Sequence, residues 1–294
     1  MSKVGIVILN YNDYETTKKY IEEIKDYKVL DKIIIVDNNS SDNSYEKLKK
    51  YNNYNKKIEV IKAEGNKGYS YGNNIGIRKL GESNIDYVII SNPDITVSES
   101  SIVSLKEDLD KNQDIALIAP VINQLGEKIR GWKIPKYKDE LLSNINYVQK
   151  IAKKKLFYDE SKYDNRLTKV DVVSGCFFMI RKDVLNMLGN FDEGTFLYYE
   201  ENILAHKLQT SLKKSYIDNN VEVTHNLSVS VDKTYNSIKK YKVLKTSQKY
   251  YVKYYLKVNL FGRLLLRFIY YISLVLSYII CFFKNVRSKR KWKI

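Results

Sequence analysis

Val4-Gly5-Ile6-Val7-Ile8-Leu9-Asn10-Tyr11-Asn12 stands at the head of the chain, a short apolar run that turns polar at once. The run does not alternate, so a strand built from it is buried on both faces, as in a parallel sheet covered by helices on two sides. Six residues are too few for the apolar core of a secretory leader, and Asn10 and Asn12 follow immediately. The segment therefore reads as a first strand, and the protein as cytoplasmic. Residues 32–36, 57–61 and 87–90 have the same character. Between them, Tyr14, Thr17, Ile21, Ile24 and Lys28 recur at helical spacing behind a candidate N-cap, Asp13. A second short helix is predicted over 42–51, and Ile102, Leu105 and Leu109 mark a third. Such alternation predicts an α/β fold with an open, mostly parallel, Rossmann-like sheet flanked by helices. Ligands of such sheets bind at the carboxyl ends of the strands. Here those ends are the polar segments 10–12, 37–41 and 91–94.

The rest of the chain sets limits. With 294 residues, 44% of them hydrophobic and 13% aromatic, it is long enough for a full core and too apolar to be disordered. Two cysteines, Cys176 and Cys281, make no disulfide scaffold and suit a reducing compartment. The net charge of +16 is concentrated: residues 233–294 carry 16 Lys and Arg and no acid, leaving 34 basic and 34 acidic residues in 1–232. A neutral body over 1–232 is thus predicted to carry a cationic, partly apolar helical tail over 233–294. Within that tail, 235–257 is a Lys/Tyr-rich helix candidate, and 264–283 is apolar apart from Arg267 and two serines. Its uninterrupted part, 268–283, falls short of the ~20 residues of a membrane span. The favoured reading is a helix lying on an anionic membrane surface. A re-entrant or spanning segment, or a helix buried in the body or in a homodimer, are the alternatives. Between body core and tail, 120–170 is less regular, with Pro120, Pro135 and an isolated Arg130-Gly131-Trp132. Residues 170–181 read as a strand pair or one strand bent at Gly175. A helix is predicted over 200–212 from Leu204, Leu208 and Leu212, and a strand over 221–224 leads into His225.

Five constellations offer chemistry. Asp37, in Val36-Asp37-Asn38-Asn39-Ser40-Ser41-Asp42, ends a strand where a carboxylate accepts bonds from a nucleobase or ribose, or where an Asx turn forms; Asp42 reads as a helix N-cap. Gly68, Gly72 and Gly76 recur every four residues in the segment from Glu64 to Gly76. They leave a bare helix face, either for tight packing on the sheet or for a diphosphate at a helix start beside Lys67. Asp94, in Ile90-Ser91-Asn92-Pro93-Asp94, follows a buried strand and suits a divalent cation, or simply a proline turn. Glu200 and Glu201 open a helix behind the aromatic run 196–199, which would desolvate a carboxylate and raise its pKa as a general base needs. His225 ends a strand.

In this order the segments resemble the family 2 glycosyltransferases with the nucleotide-sugar-binding GT-A fold, above all the rhamnosyltransferase-like, polysaccharide-building branch. VGIVILNYN is similar to that family's opening strand, IIIVDNNSSDNS to its nucleotide-contacting aspartate loop and NKGYSYGNNIGIR to its N-x-G…G-N-N-x-G segment. ISNPDI resembles its metal-binding acidic motif, and VSGCFFMIRKDVLNMLGNFDEGTFLYYEEN its late G-x-F…F-D-E…E-D block. The resemblance covers about 3–230. It implies transfer of a sugar with inversion from a UDP- or dTDP-sugar to a hydroxyl of a lipid-linked saccharide, in cell-surface polysaccharide or capsule biosynthesis. It also implies a Mg²⁺ or Mn²⁺ ion held by Asp94 and His225, while the tail points to a peripheral station at the inner membrane face. Donor contacts fall on Asn10, Tyr11, Asn12, Asp37, Asn39, Asn66, Lys67, Gly68, Asn73, Asn92 and Asp94. The catalytic base falls on Glu201, with Glu200 as the fallback. Two positions depart from the commoner pattern: Asn92 stands where others carry an aspartate, and Glu201 where the acid pair ends in Asp. A catalytically degenerate nucleotide-sugar-binding scaffold at the membrane is the rival reading. Arg130 and Trp132 are candidates for an acceptor contact. A nucleic-acid binder is disfavoured because the basic residues flank an apolar stretch rather than pattern the neutral body.

Overall fold

A computed structural model describes residues 1–54, 56–145, 148, 154–226 and 237–291. Four of the strands are β1 (Val4–Asn10), β2 (Leu30–Asp37), β3 (Ile58–Lys62) and β4 (Tyr87–Ser91), and they pair in parallel in the order β3-β2-β1-β4. The four non-alternating runs thus lie side by side. Ile6 and Ile8 of β1 and Ile33 and Ile35 of β2 join one core with Tyr20, Ile21 and Ile24 of α1 (Tyr14–Ile24). Burying each such side chain contributes about 1.5–3 kcal/mol. The opposite face is covered by α3 (Tyr69–Gly81). There Gly72 and Gly76 decide between the two readings of the bare face: a Cβ at Gly72 would collide with Leu9, and one at Gly76 with Val7. These two glycines let helix and sheet approach.

β4 is the seam of the sheet. On its far side lies β9 (Phe177–Arg181), antiparallel to β4 and also to β6 (Ile115–Gln124). β6 runs parallel to the long strand β10 (Lys214–His225). β5 (Ile95–Thr96) and β8 (Leu167–Val170) pair antiparallel with β10, and β7 (Glu127–Ile129) with β6. The parallel character therefore belongs to the half before residue 92, and the second half is mixed. Pro120 lies inside β6, in a stretch expected to be irregular. Its missing N–H coincides with a register shift, Asp218 pairing with Pro120 and Glu222 with Val121. Of the 170–181 stretch, only Phe177–Arg181 is a full strand, β9; β8 ends at Val170, Val172 forms a single bridge with Trp132, and a turn at Gly175 leads into β9.

Helix ends depart from the expectation in small ways. α1 stops at Ile24, short of Lys28, and Asp13 accepts the Thr16 hydroxyl at 2.8 Å rather than capping a backbone amide. The 42–51 helix is α2 (Ser44–Leu48) followed by a 3-10 turn over Lys49–Asn53. Its N-cap is Asn43 in a left-handed conformation, while Asp42 accepts from the Ser44 amide at 3.0 Å. Two other helices are α4 (Glu99–Lys111), with Ile102, Leu105 and Leu109 buried, and α6 (Lys182–Met187). α7 (Glu200–Thr210) ends before Leu212, which is exposed with φ 55°.

The chain divides into two compact units: Met1–Ile134 with Asp159–Ser247, and Pro135–Tyr158 with Gln248–Ile294. The segment 135–158 thus shares a unit with 248–294, most of the tail expected over 233–294. That second unit contains α5 (Tyr137–Leu142), the end of α8 (Ser237–Tyr254) and α9 (Leu260–Lys291). A buried polar cluster joins them. Gln248 Nε2 donates to Glu140 Oε2 at 2.7 Å and to Ser143 Oγ at 2.9 Å, and Asn144 Nδ2 donates to the Glu140 carbonyl at 2.7 Å. The Tyr137 hydroxyl donates to the Gly262 carbonyl at 2.7 Å. No described helix is long and apolar enough to cross a membrane.

Candidate active site

The donor-side residues gather where β1, β2 and β4 end. Asn10 Nδ2 donates to Asp37 Oδ2 at 2.7 Å and to Ser40 Oγ at 3.1 Å, and its Oδ1 accepts the Thr17 hydroxyl at 2.8 Å. The Ser40 amide donates to Asp37 Oδ1 at 2.9 Å. Asp37 is fully buried, so in this state it fixes the corner between two strand ends. Asn12, at φ 51°, accepts the Ser41 amide at 2.7 Å. Tyr11 is half-buried beside it. Asn38, not singled out in the sequence, is the buried link to the glycine segment: its Nδ2 donates to Asn66 Oδ1 at 3.0 Å and to the Gly68 carbonyl at 3.2 Å. Asn39 is exposed at φ 60°. Gly68, at φ 110°, lies against the Phe196 carbonyl, where a side chain would clash. Lys67 is exposed, its Nζ 4.8 Å from the Tyr71 ring centre. Asn73 donates to the Tyr69 carbonyl at 3.0 Å and keeps a buried Oδ1 with no hydrogen-bond partner among the described residues.

The cation pair is assembled by β5. This two-residue strand pairs His225 with Ile95, and Asn226 pins the register by donating its amide to the Asp94 carbonyl at 2.8 Å. His225 Nε2 then stands 3.2 Å from Asp94 Oδ1, and Nδ1 is 3.0 Å from Gln124 Oε1. When Nδ1 donates to Gln124, the lone pair of Nε2 faces a carboxylate oxygen. A cation between them relieves that repulsion, and a ring fixed through its other nitrogen is the usual state of a metal-bound histidine. Two neighbouring ligands of an octahedral ion, each at ~2.1 Å, lie roughly 3 Å apart. The pair therefore fits a divalent ion. Among the described residues no group of three or more His, Cys, Asp or Glu surrounds such an ion.

Glu200 and Glu201 begin α7 behind two consecutive left-handed residues, Tyr198 (φ 70°) and Tyr199 (φ 74°). Glu200 is buried, its Oε2 without a hydrogen-bond partner among the described residues; burial, and then the charge of Glu201, hold its carboxyl well above the usual range. Glu201 is half-buried against Gly175. Burial raises its pKa too, opposed by the backbone N–H groups of Glu201 and Gly175. Cys176 is buried, its thiol pushed up to about 12 by burial and, after a Ser174 contact that lowers it, by the charges of Asp94 and Glu201. The Tyr69 hydroxyl donates to the Gly175 carbonyl at 2.8 Å and lies 3.4 Å from Asn92 Oδ1, and the Asn92 amide donates to the Cys176 carbonyl at 2.8 Å. Asn92, Asp94, Cys176 and Glu201 are thus brought to one place from three distant stretches of chain.

The glycosyl transferase family 2 model matches residues 5–189. The chain belongs to glycosyl transferase family 2. Among family relatives, the low-salt glycan biosynthesis hexosyltransferase Agl10 of Haloferax volcanii is 28% identical over 203 residues, 68% of this chain and 60% of its own. The rhamnosyltransferase WbbL of Escherichia coli is 24% identical over 211 residues, 70% of this chain and 76% of its own. The chain thus spans less than two thirds of the hexosyltransferase. Among solved structures, that of GalNAc-T7 with UDP, GalNAc and Mn²⁺ superposes with a TM-score of 0.61 at 16% identity, over 77% of this chain and 44% of that one. The GT-A fold implied by the family 2 resemblance is therefore the fold found.

Three residues that build this family 2 site carry no individual signal. Gln124 lies at the end of the strand hidden by Pro120. Tyr69 lies in a quoted motif but reads as a spacer between glycines. Asn74 looks like a twin of Asn73, yet it clasps the loop before α7: its Nδ2 donates to the Phe191 carbonyl at 3.0 Å and to Glu193 Oε1 at 2.8 Å, and its Oδ1 accepts the Phe191 amide at 3.0 Å. Trp132 Nε1 donates to Asn202 Oδ1 at 3.1 Å, beside the acid pair, whereas Arg130 pairs with Glu160 at 2.7 Å.

Proposed function

We propose that this chain transfers a hexosyl or deoxyhexosyl group, with inversion and with a divalent cation, from a UDP- or dTDP-sugar to a hydroxyl of a lipid-linked saccharide in cell-surface polysaccharide assembly. One observation carries the reading: a buried Asp94 stands 3.2 Å from His225, and a second acid, Glu201, packs on Gly175 of the turn whose Cys176 carbonyl accepts the Asn92 amide. A candidate cation-binding acid and a candidate general base are thereby held against one turn, 175–176. Asp37, Asn10 and Asn38 hold the wall for the nucleoside, and Asn66, Lys67 and Gly68 offer donors to the diphosphate. Asp94 and His225 would hold the ion, which when bound neutralises the departing diphosphate as a Lewis acid. Glu201 takes the proton of the acceptor hydroxyl as its oxygen bonds to the anomeric carbon. The bond to the diphosphate breaks on the opposite face, and its electron pair leaves with the nucleotide. A buried, electron-rich setting suits that base, because a raised pKa brings its basicity toward neutral pH.

The test separates binding from turnover. Calorimetry with UDP and dTDP, with and without Mg²⁺ or Mn²⁺, should show metal-dependent binding that Asp94→Asn and His225→Gln abolish. Glu201→Gln should bind normally and lose about 10²–10⁴-fold in kcat. Full turnover by Glu201→Gln would overturn the base assignment. Metal-dependent binding by the unaltered protein, without transfer to any lipid-linked acceptor, would replace this reading with that of a nucleotide-sugar-binding scaffold.

A further inference from the structure

Helix α9 is sided in a way the family 2 chemistry does not use. Gly262, Leu266, Tyr270 and Ser273 face inward, in steps of three and four. The Gly262 carbonyl accepts from Tyr137, and the Ser273 hydroxyl donates to the Asn144 carbonyl. The opposite face is also apolar. Phe261, Leu264, Phe268, Tyr271 and Val275 follow one another at the same spacing on the outside, with Phe261 77% and Phe268 62% exposed. From 260 to 276 this stripe is about 24 Å long. A stripe of that length on the outer face of one helix needs a partner.

Charge identifies the partner. Arg263 and Arg267 belong to the same helix, and from residue 233 to the end the chain carries 16 Lys and Arg and no acid. A second copy would bring one such cationic segment against another with no carboxylate in either to offset it. A surface that is both apolar within and negative at its rim answers both features. We propose that the outer face of α9 docks on an anionic phospholipid bilayer. The helix lies in the plane of the interface, with Phe261, Leu264, Phe268, Tyr271 and Val275 at the acyl boundary and the basic residues at the headgroups. The inference does not depend on the sugar chemistry and would stand if the donor assignment failed.

The experiment uses the full chain and co-sedimentation with vesicles of phosphatidylcholine, alone or mixed with phosphatidylglycerol. The protein should pellet with the mixed vesicles, less so at high salt, and weakly with phosphatidylcholine alone. Phe261→Glu with Phe268→Glu should lower partitioning by at least tenfold with melting temperature and nucleotide binding unchanged, since neither side chain packs inward. Arg263→Gln with Arg267→Gln keeps the apolar stripe and should lose roughly fivefold per charge on the mixed vesicles. Equal binding to both vesicle types, no binding to either, or partitioning unaffected by Phe261→Glu with Phe268→Glu would overturn the proposal. So would a homodimer that these substitutions dissociate.

Discussion

Replacing Gly175 by alanine tests the placement of the base without touching a titratable group. The added methyl would lie 2.8 Å from Glu201 Oε1, 2.9 Å from its Cγ and 3.1 Å from its Cδ. Ordinary contact begins at 3.4 Å, so the carboxylate must retreat by at least 0.6 Å. The colliding atoms end a flexible side chain, so the backbone need not move. The alanine also costs the unfolded chain conformational freedom, offsetting strain by ~0.4–1 kcal/mol. Stability should therefore change by about 1 kcal/mol or less. Catalysis should not escape: a 1 Å misplacement of a reacting group costs about 10²-fold, so a retreat of this size predicts a fall of roughly 10–10²-fold in kcat. Steady-state assays of nucleoside diphosphate release should show that loss with donor affinity unchanged by calorimetry. Shortening the acid makes room, so Gly175→Ala with Glu201→Asp should recover activity relative to Gly175→Ala alone. Unchanged kcat in Gly175→Ala, or a double variant no better than the single, would refute the assignment of Glu201 to this position.

Asn74→Ala removes the clasp on Phe191 and leaves its buried backbone amide and carbonyl unpaired, so it should cost about 2–3 kcal/mol by denaturant unfolding. The acid limb of the kcat–pH profile should lie above the ~4.3 of an unperturbed glutamate, because burial raises the Glu201 pKa and activity is lost as pH falls through it; the residual activity of Glu201→Gln should lack that limb. Elsewhere, Arg166 bridges two buried carboxylates, Asp108 at 2.7 Å and Asp218 at 3.1 Å. Burial, and then Asp218, raise Asp108 to about 6. A folded pKa above the unfolded one means the folded state holds the extra proton, so this contribution is present at low pH and is lost as pH rises through about 6. Thermal melts of Asp108→Asn should show a flatter pH dependence and a higher midpoint at pH 7.

The legible part of this molecule was the part whose burial is two-sided. β1, β2 and β4 announce themselves because their apolar runs are covered on both faces, whereas β3, at the edge, buries only Ile58 and Val60. β6 is covered as thoroughly, yet Pro120 within it argues against a strand, and only the displaced register of β10 explains how the strand absorbs it. Asp94 and Glu201 stand out in the sequence because a carboxylate behind a buried strand or an aromatic run is chemically conspicuous. Gln124 and Asn226 were not, since their value lies in what they hold still: one fixes the His225 ring, the other the pairing that brings His225 to Asp94. Such partners are set by tertiary register. The glycine repeat shows the converse, because a pattern resembling a phosphate cradle serves at Gly72 and Gly76 to let a helix settle onto Leu9 and Val7.

The seam at β4 has a consequence for how this enzyme family diversifies. On the proposed reading, the residues that line the nucleoside are encoded before residue 92, Asp94 and His225 hold the ion at its diphosphate, and most of what meets the incoming alcohol comes later, entering through the reversed strand β9. The later segments can be exchanged or redrawn by mutation while the earlier ones keep their currency of activated sugar. New linkages can thus arise without relearning the donor, and chimeras joined just past Asp94 are where a protein engineer would begin.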